Sequence, residues 1–259
     1  MPGSPTMPLL SLCLATYNRA RYLDRYLTHH LGALDAAGVD YELVVSDNCS
    51  ADETPEILAR YASRRPRMRV TRQPRNVGVY PNILTTLHQA RGEVVVSIAD
   101  DDMAIPDQLL AYVQRMIDEP SLVMIQAPWL LTDETKDNAV IGKFYDFEGE
   151  WRFETGQYGN CLAFVIQNHV FPECWVMRRS AMGPRSAVAA FWRWRYRQVP
   201  EPDTELEAQA AFFRVGVAAQ VGFFLAAFAG VGLVFLNQVQ THSMQAALKT
   251  LALLAKAIL

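Results

Sequence analysis

Cysteine is sparse and unpatterned in this sequence. Cys13, Cys49, Cys161 and Cys174 form no CxxC pair and no other zinc-ligand spacing, so a zinc module is excluded and reduced thiols of a cytosolic protein are expected. Neither sign of charge is in large excess: a formal net charge of −3 offers no global attraction to nucleic acid, and no nucleic-acid partner is expected. Residues 1–7 lack a basic segment followed by a long apolar one, so no signal peptide is expected there. Internal repeats and low-complexity segments are also absent. No GxGxxG follows the first apolar run, where Thr16-Tyr17-Asn18-Arg19 stands instead, and this excludes a dinucleotide-binding dehydrogenase.

Apolar residues are plentiful. At 51% of 259 residues they can bury a sizeable core, as one large domain or a domain with an appendage. The most informative stretch is Glu93-Val94-Val95-Val96-Ser97, which runs into Ile98-Ala99-Asp100-Asp101-Asp102 and closes at Pro106. The valines read as a buried parallel strand, whose C-terminal end delivers three carboxylates to the edge where open α/β sheets place ligands. Adjacent carboxylates repel unless a cation sits among them, and hard oxygen ligands suit Mg²⁺ or Mn²⁺ better than Zn²⁺. An acidic turn capping the helix after Pro106 accounts for the triplet equally well.

The flanking chain alternates. Residues 9–15 form an apolar strand, and Tyr22, Leu23, Tyr26 and Leu27 then recur at helical spacing. A strand at 41–45 leads into Ser46-Asp47-Asn48-Cys49-Ser50-Ala51-Asp52-Glu53-Thr54, a loop of capping residues, and a helix through Ile57, Leu58 and Tyr61. A weak strand at 69–71, the turn Arg75-Asn76-Val77-Gly78, and a helix at 83–90 stopped by Gly92 complete the approach to the acid run. Strands alternating with helices over short connections predict a mostly parallel sheet covered on both faces.

Beyond Pro106 a helix through Leu109, Leu110, Val113 and Met116 is followed by a strand at 122–125. Residues 132–159 show no clear period and read as an irregular binding segment, after which 174–177 resume strand character before Arg178. Residues 191–197 alternate aromatics with arginines; an edge strand with solvated arginines is favoured over a surface that holds a diphosphate or lies on an anionic membrane. The run 215–236 is long enough to span a membrane, but buried elements of a soluble domain are favoured because no basic cluster flanks it. Residues 245–259 pattern as an amphipathic helix.

Taken together, Ala15-Thr16-Tyr17-Asn18-Arg19, the loop from Val45 to Thr54, Asn76-Val77-Gly78 and the acid run ending at Pro106 resemble, in order and spacing, the family 2 glycosyltransferases with the GT-A nucleotide-sugar-binding fold. The look is closest to bacterial abequosyltransferase-like or rhamnosyltransferase-like members, and it covers residues 8 to about 126. The resemblance implies an α/β fold with a mostly parallel central sheet flanked by helices. Residues 1–126 would form the donor half, 127–244 the acceptor-side half of the same domain, and 245–259 a C-terminal helix.

Carried over residue by residue, Thr16, Tyr17, Asn18 and Arg19 resemble the loop lining the nucleoside, and Asp47 the carboxylate that accepts a hydrogen bond from the base. Asn76 and Gly78 join the donor site by the same likeness. Asp100 to Asp102 match the DxD element, with Asp100 toward the ribose and Asp101 and Asp102 toward Mg²⁺ or Mn²⁺. His242 resembles a late histidine near the metal, although a packed or solvated side chain is the commoner fate of a lone histidine. Arg178 sits where related chains carry a basic residue after a strand.

The implied reaction is an inverting, metal-dependent transfer of a sugar from a nucleotide-diphospho-sugar to a hydroxyl of a glycan or lipid-linked glycan, of the cell-surface polysaccharide or O-antigen type. A cytoplasmic location is expected, with peripheral contact at the inner face of the membrane and a homo-oligomer left open. Two departures keep a non-catalytic nucleotide-sugar-binding or assembly subunit open as the alternative. Tyr80-Pro81-Asn82 stands where many relatives carry Ala-Arg-Asn, so Arg75 or Arg19 has to supply the basic contact. The family's Glu-Asp base pair has no clean copy; Asp203 is the first candidate base and Glu205 the second, and each also fits a helix N-cap or first-turn acid.

Overall fold

The structure is a computed structural model that describes residues 7–136, 138–144, 149–154, 157–168 and 174–182. The element order is β1 (Leu10–Thr16), α1 (Ala20–Ala36), β2 (Tyr41–Asp47), α2 (Thr54–Ala62), β3 (Met68–Arg72), α3 (Val79–Gln89), β4 (Val94–Ser97), α4 (Pro106–Asp118), β5 (Met124–Gln126), β6 (Leu130–Asp133), β7 (Ala139–Lys143), α5 (Tyr158–Gln167) and β8 (Trp175–Arg178). A six-stranded sheet runs β3-β2-β1-β4-β8-β5. Its first four strands are mutually parallel, and β8 lies antiparallel between β4 and β5.

β1 lies inside this sheet and is buried on both faces: Leu10, Leu12 and Leu14 pack on one with Leu43, Val45, Val94 and Val96 of its neighbours, and Ser11 and Cys13 are fully buried on the other. Helix α1 turns Leu23, Tyr26, Leu27, His30, Leu31 and Leu34 inward, a stripe at helical spacing that takes one histidine into the core with the leucines. Helix α4 buries Leu109, Val113 and Met116 in the same way. Both α2 and α4 carry a proline in their first turn, where its missing N–H costs nothing.

Several elements differ from the sequence reading. Helix α3 begins at Val79, because Pro81 falls in a first turn that tolerates it, and it ends at Gln89 with Ala90 already extended. Gly92 is therefore no helix stop. A Cβ built on it would lie 2.5 Å from the Ser11 backbone nitrogen, so glycine is needed for the close approach of two chain segments. Residues 132–159 are not wholly irregular: β6 and β7 form a two-stranded ribbon with a register shift at Leu131/Thr132, and α5 follows. Nearly every side chain of the ribbon is exposed, Val140 at 60% and Ile141 at 62%, so no buried face imposes the alternation that would mark strands in a sequence.

The described residues divide into two compact units. One lies within Met1–Gln126 and Glu173–Pro200 and holds the six-stranded sheet with α1 to α4; the other, within Ala127–Pro172 and Glu201–Leu259, holds the ribbon and α5. The runs at 191–197 and 215–236 and the tail 245–259 lie outside the described residues. Among the described residues, no helix is long and apolar enough to cross a membrane.

At the N-terminal edge of the sheet a polar knot replaces apolar packing. The buried Glu42 carboxylate accepts from Ser11 Oγ at 2.6 Å, from the Arg91 backbone N–H at 2.6 Å and from Arg69 Nη2 at 2.7 Å. Ser11 Oγ in turn accepts the Gly92 N–H at 2.8 Å. Burial alone would raise the Glu42 carboxyl, but the hydrogen bonds from Ser11, Arg69 and Arg91 outweigh it and hold the group below the ordinary carboxylate range. This knot fixes where β4 enters the sheet. Gly92→Ala is expected to lower stability by about 1–3 kcal/mol through backbone overpacking, read as a lower urea midpoint at an unchanged slope.

Candidate active site

The opposite edge of the sheet gathers the loops after β1, β2, β3 and β4, and their order is set by backbone groups that would otherwise be orphaned. Helix α1 has no side-chain cap of its own. Its entry is capped from the next loop: the Arg19 N–H donates to Thr54 Oγ1 at 3.0 Å and the Ala20 N–H to Asp52 Oδ2 at 3.0 Å. Asn18, at a φ of 52°, donates its N–H to Ser50 Oγ at 2.8 Å and accepts the Ala51 N–H at 2.8 Å on its side chain. A short polar side chain tolerates that left-handed backbone, which is why asparagine serves here.

The loop after β3 is tied in by Asn48. Its Nδ2 donates to Asn76 Oδ1 at 2.8 Å, and its Oδ1 accepts the Val77 N–H at 2.8 Å. Asn76 also accepts the Gly78 N–H at 2.9 Å, and Gly78 takes a φ of 88° that favours glycine. The buried Asn82 of α3 donates to the Ser46 carbonyl at 2.9 Å and the Thr16 carbonyl at 3.3 Å, and accepts from Ser46 Oγ at 2.6 Å. The triplet Tyr80-Pro81-Asn82 thus supplies a tie between the ends of β1 and β2. An asparagine inside a helix is a poor helix former, and that was the one available signal of a tertiary role.

Asp47 ends β2 opposite Thr16 and is 1% exposed. Its Oδ1 accepts from both the backbone N–H and the hydroxyl of Ser50. Its Oδ2 is buried and, among the described residues, receives no hydrogen bond; Arg72 Nη1 lies 3.2 Å away. Such an atom has an ionic partner but hydrogen-bond capacity left unfilled.

Thr16 also reaches the acid run, donating its hydroxyl to Asp100 Oδ2 at 2.6 Å. Arg19 lies between two of the acids, 3.2 Å from Asp100 Oδ1 and 3.6 Å from Asp101 Oδ2. Asp100 is 6% exposed, whereas Asp101 is exposed and Asp102 half-buried. Burial pushes the Asp100 carboxyl from 3.8 up to about 6, with the neighbouring Asp101 charge adding to the rise and Thr16 and Arg19 opposing it. Asp102 is raised as well, by burial and by Asp101. Tyr17 stands 43% exposed beside these groups in sequence.

Among the described residues, no three acidic, histidine or cysteine side chains form a ready-made cation cage. The donor set still fits Mg²⁺ or Mn²⁺. Asp100 is engaged by Thr16 and Arg19, the exposed Asp101, with Arg19 3.6 Å from its Oδ2, and the half-buried Asp102 offer hard oxygen donors, and Mg²⁺ is commonly bound by one or two carboxylates together with substrate phosphates. Burial, and after it the neighbouring Asp101 charge, raise the proton affinity of Asp100 and Asp102, and a cation bound at the run would favour their ionised forms.

The structure thus brings Thr16, Asn18, Arg19, Asp47, Asn76, Gly78 and Asp100 into one connected set of loops. The candidate bases Asp203 and Glu205, and the candidate metal ligand His242, lie outside the described residues. Arg178 is elsewhere. It pairs with Val94 at the entry of β4, on the opposite edge, and donates to the Leu122 carbonyl at 3.0 Å, the Glu119 carbonyl at 3.2 Å and Glu93 Oε1 at 3.0 Å. It closes the C-terminal end of α4, as cations at such ends do.

Carboxylates gathered on capped loops at the C-terminal edge of a mostly parallel sheet are the ligand-site arrangement of an open α/β protein, and the family match that follows makes the fold the GT-A type. The chain belongs to glycosyl transferase family 2, whose family model matches residues 11–183. It is 32% identical over 187 residues to the uncharacterized protein MT1568 of Mycobacterium tuberculosis, a match that covers 72% of this chain and 56% of that protein. It is 33% identical over 114 residues to the succinoglycan biosynthesis protein ExoO of Rhizobium meliloti, covering 44% of this chain and 31% of that one. Over 111 residues it is 30% identical to the undecaprenyl-phosphate 4-deoxy-4-formamido-L-arabinose transferase of Edwardsiella ictaluri, with 42% of this chain and 34% of that protein covered. The chain therefore spans between about a third and just over half of these relatives. Among solved structures, TarS of S. aureus (residues 1–349) aligns over 72% of this chain and 54% of that chain at 19% identity, with a TM-score of 0.44.

The charge state of the acid run gives a testable pH dependence. A carboxyl raised in the folded state binds more protons folded than unfolded, so its ionisation costs stability as pH rises from about 4 through about 6. Asp100→Asn cannot ionise. Its stability relative to the metal-free wild type is expected to rise by roughly 2–3 kcal/mol between about pH 4 and about pH 7.5, measured by denaturant titration at both values.

Proposed function

We propose that this chain transfers a sugar from a nucleotide-diphospho-sugar to a hydroxyl of a glycan or lipid-linked glycan, with inversion at the anomeric carbon. The observation that carries the reading is Asp47: Ser50 fixes its Oδ1, and its buried Oδ2, 3.2 Å from the Arg72 guanidinium, accepts no hydrogen bond among the described residues, next in register to the strand end whose hydroxyl holds the acid run. A nucleobase N–H is the kind of donor that such an oxygen accepts. The names of ExoO and of the undecaprenyl-phosphate transferase support an acceptor drawn from polysaccharide or lipid-linked glycan assembly.

In this reading Thr16 and Asp47 receive the nucleoside, and Asp100, oriented by Thr16 and Arg19, faces the ribose. Arg19 supplies fixed positive charge where the diphosphate lies, the basic contact that Tyr80-Pro81-Asn82 does not provide. Asp101 and Asp102 would hold Mg²⁺ or Mn²⁺, which when bound neutralises charge on the departing nucleoside diphosphate. A carboxylate, Asp203 or Glu205, takes the acceptor proton as the hydroxyl attacks the face opposite the leaving group.

The deciding experiment is turnover of a panel of nucleotide sugars against a mixed glycan and polyprenyl-phosphate acceptor set in the presence of Mn²⁺. Transfer supports the enzyme; tight nucleotide binding with no transfer to any acceptor would instead make the chain a binding or assembly subunit. Two variants sharpen the result. Asp101→Asn should abolish transfer while leaving the melting temperature within a few degrees, and EDTA should do the same to the wild type; retention of full rate in both removes the metal from the reaction. Asp47→Ala should weaken nucleoside diphosphate binding by roughly 1–3 kcal/mol, the cost of losing a buried partner, and calorimetry at unchanged affinity would reassign Asp47 to bracing the 47–50 turn.

A further inference from the structure

Helix α1 meets the acid run through three side chains that the donor-site reading leaves unused. Tyr26 donates its hydroxyl to the Ile98 carbonyl at 3.4 Å, at the point where the chain leaves β4. Beyond the acids, Ala104 is held on both of its backbone groups. Its N–H donates to His30 Nε2 at 3.1 Å, and its carbonyl lies 2.7 Å from His29 Nε2. A carbonyl only accepts, so His29 carries its proton on Nε2. His30 Nε2 accepts, so its proton is on Nδ1, which donates to the Tyr26 carbonyl at 2.9 Å. The three rings pack on one another, Tyr26 to His30 at 4.2 Å between centroids and His29 to His30 at 5.0 Å.

Two consecutive helical residues normally point to different sides of a helix, which makes this double grip on one residue of a loop a specific arrangement. His30 lies on the buried stripe of α1 at 2% exposure, where a leucine would fill the space as well if packing were the whole requirement. Its ring is kept neutral, and so able to accept, because burial pushes it from 6.5 down to about 4. Between the Ile98 and Ala104 anchors, the turn is closed by the Asp102 N–H donating to the Ala99 carbonyl at 3.2 Å. The segment carrying Asp101 and Asp102 is therefore pinned at both ends from a single helix, and Asp100 is pinned from the segment that leads into that helix.

We infer that Tyr26, His29 and His30 are positioning residues that set the placement of Asp101 and Asp102 for a cation-bound diphosphate. They touch no reacting group. Their effect runs through Ile98 and Ala104, as outer partners of a ligand-bearing loop act through the ligands. The inference rests on reading the acid run as the diphosphate site.

The test compares the wild type with His30→Phe, His29→Phe and His30→Gln. Phenylalanine keeps a ring and removes the nitrogens; glutamine at position 30 returns an acceptor at the reach of Nε2. Affinity for UDP, GDP, CDP and dTDP is measured by calorimetry with Mn²⁺, and exchange of the Ala104 amide by hydrogen–deuterium exchange. For the diphosphate that the wild type binds, each Phe variant is expected to bind about 10-fold or more weakly, with His30→Gln restoring most of the affinity, in line with losses seen for outer partners. The Ala104 amide should exchange faster in His30→Phe and recover in His30→Gln. Unchanged diphosphate affinity in both Phe variants overturns the inference while leaving the donor-site reading intact. A wild type that binds none of the four diphosphates removes the donor-site reading itself, and this inference with it. If His30→Phe fails to fold, His29→Phe, at a half-exposed position, decides alone: weaker binding supports the clamp and equal binding overturns it.

Discussion

The C-terminal edge of the sheet depends on what Thr16 does at the end of its central strand. Its carbonyl accepts the Asn48 N–H at 2.9 Å and the Asn82 amide at 3.3 Å, its backbone pairs with Asp47, and its hydroxyl holds Asp100. One residue thereby links the loop after β2, the start of α3 and the acid run. Every one of those contacts sits where solvent is excluded, so each counts for more than its surface equivalent. Strand β1 tolerates polar residues at its two ends because Leu10, Leu12, Cys13 and Leu14 are fully buried between and beside them.

A glycine-rich phosphate loop solves close approach by removing side chains. Here the same edge is built by reciprocal capping, in which the residues that begin α2 close the N-terminus of α1 and Asn18 returns a contact to Ala51. The outcome is a set of loops held by one another and not by their own helices. Charge follows the same economy of means: Arg19 and Arg72 stand against Asp100 and Asp47, so that the most buried carboxylates of the edge each have a cation within 3.2 Å.

Much of this was legible in the sequence, for a physical reason. Strands β1, β2 and β4 are buried on both faces and read as continuous apolar runs, and α1 and α4 bury a stripe at helical spacing. The acid run was legible because its carboxylates are adjacent. What escaped was whatever depends on partners far along the chain. His29 and His30 look like any two histidines until Ala104, 74 residues from His30, is brought to them. Asn82 looks like a weak point in a helix until it meets the ends of β1 and β2. Arg178 follows a strand, as a donor contact would, but β8 runs antiparallel to β4, and the reversal carries the end of that strand to the other edge. Direction within a sheet is not written in a four-residue strand. The exposed ribbon of β6 and β7 escaped for the opposite reason, having no buried face to pattern.

The insertion of β8 between β4 and β5 also bears on how the molecule is made. Trp175 on β8 meets Gln126 on β5 across 49 residues of chain, so the strand that completes the sheet emerges well after its neighbours on both sides. Until then β4, with Val94, Val95 and Val96, has one open ladder edge, and a short apolar edge of that kind recruits other strands. A nascent or truncated chain that stops near residue 126 would carry all three aspartates and most of the core, yet it would expose a templating edge beside them. Synthesis past residue 178 is what converts that edge from an aggregation hazard into the middle of a sheet.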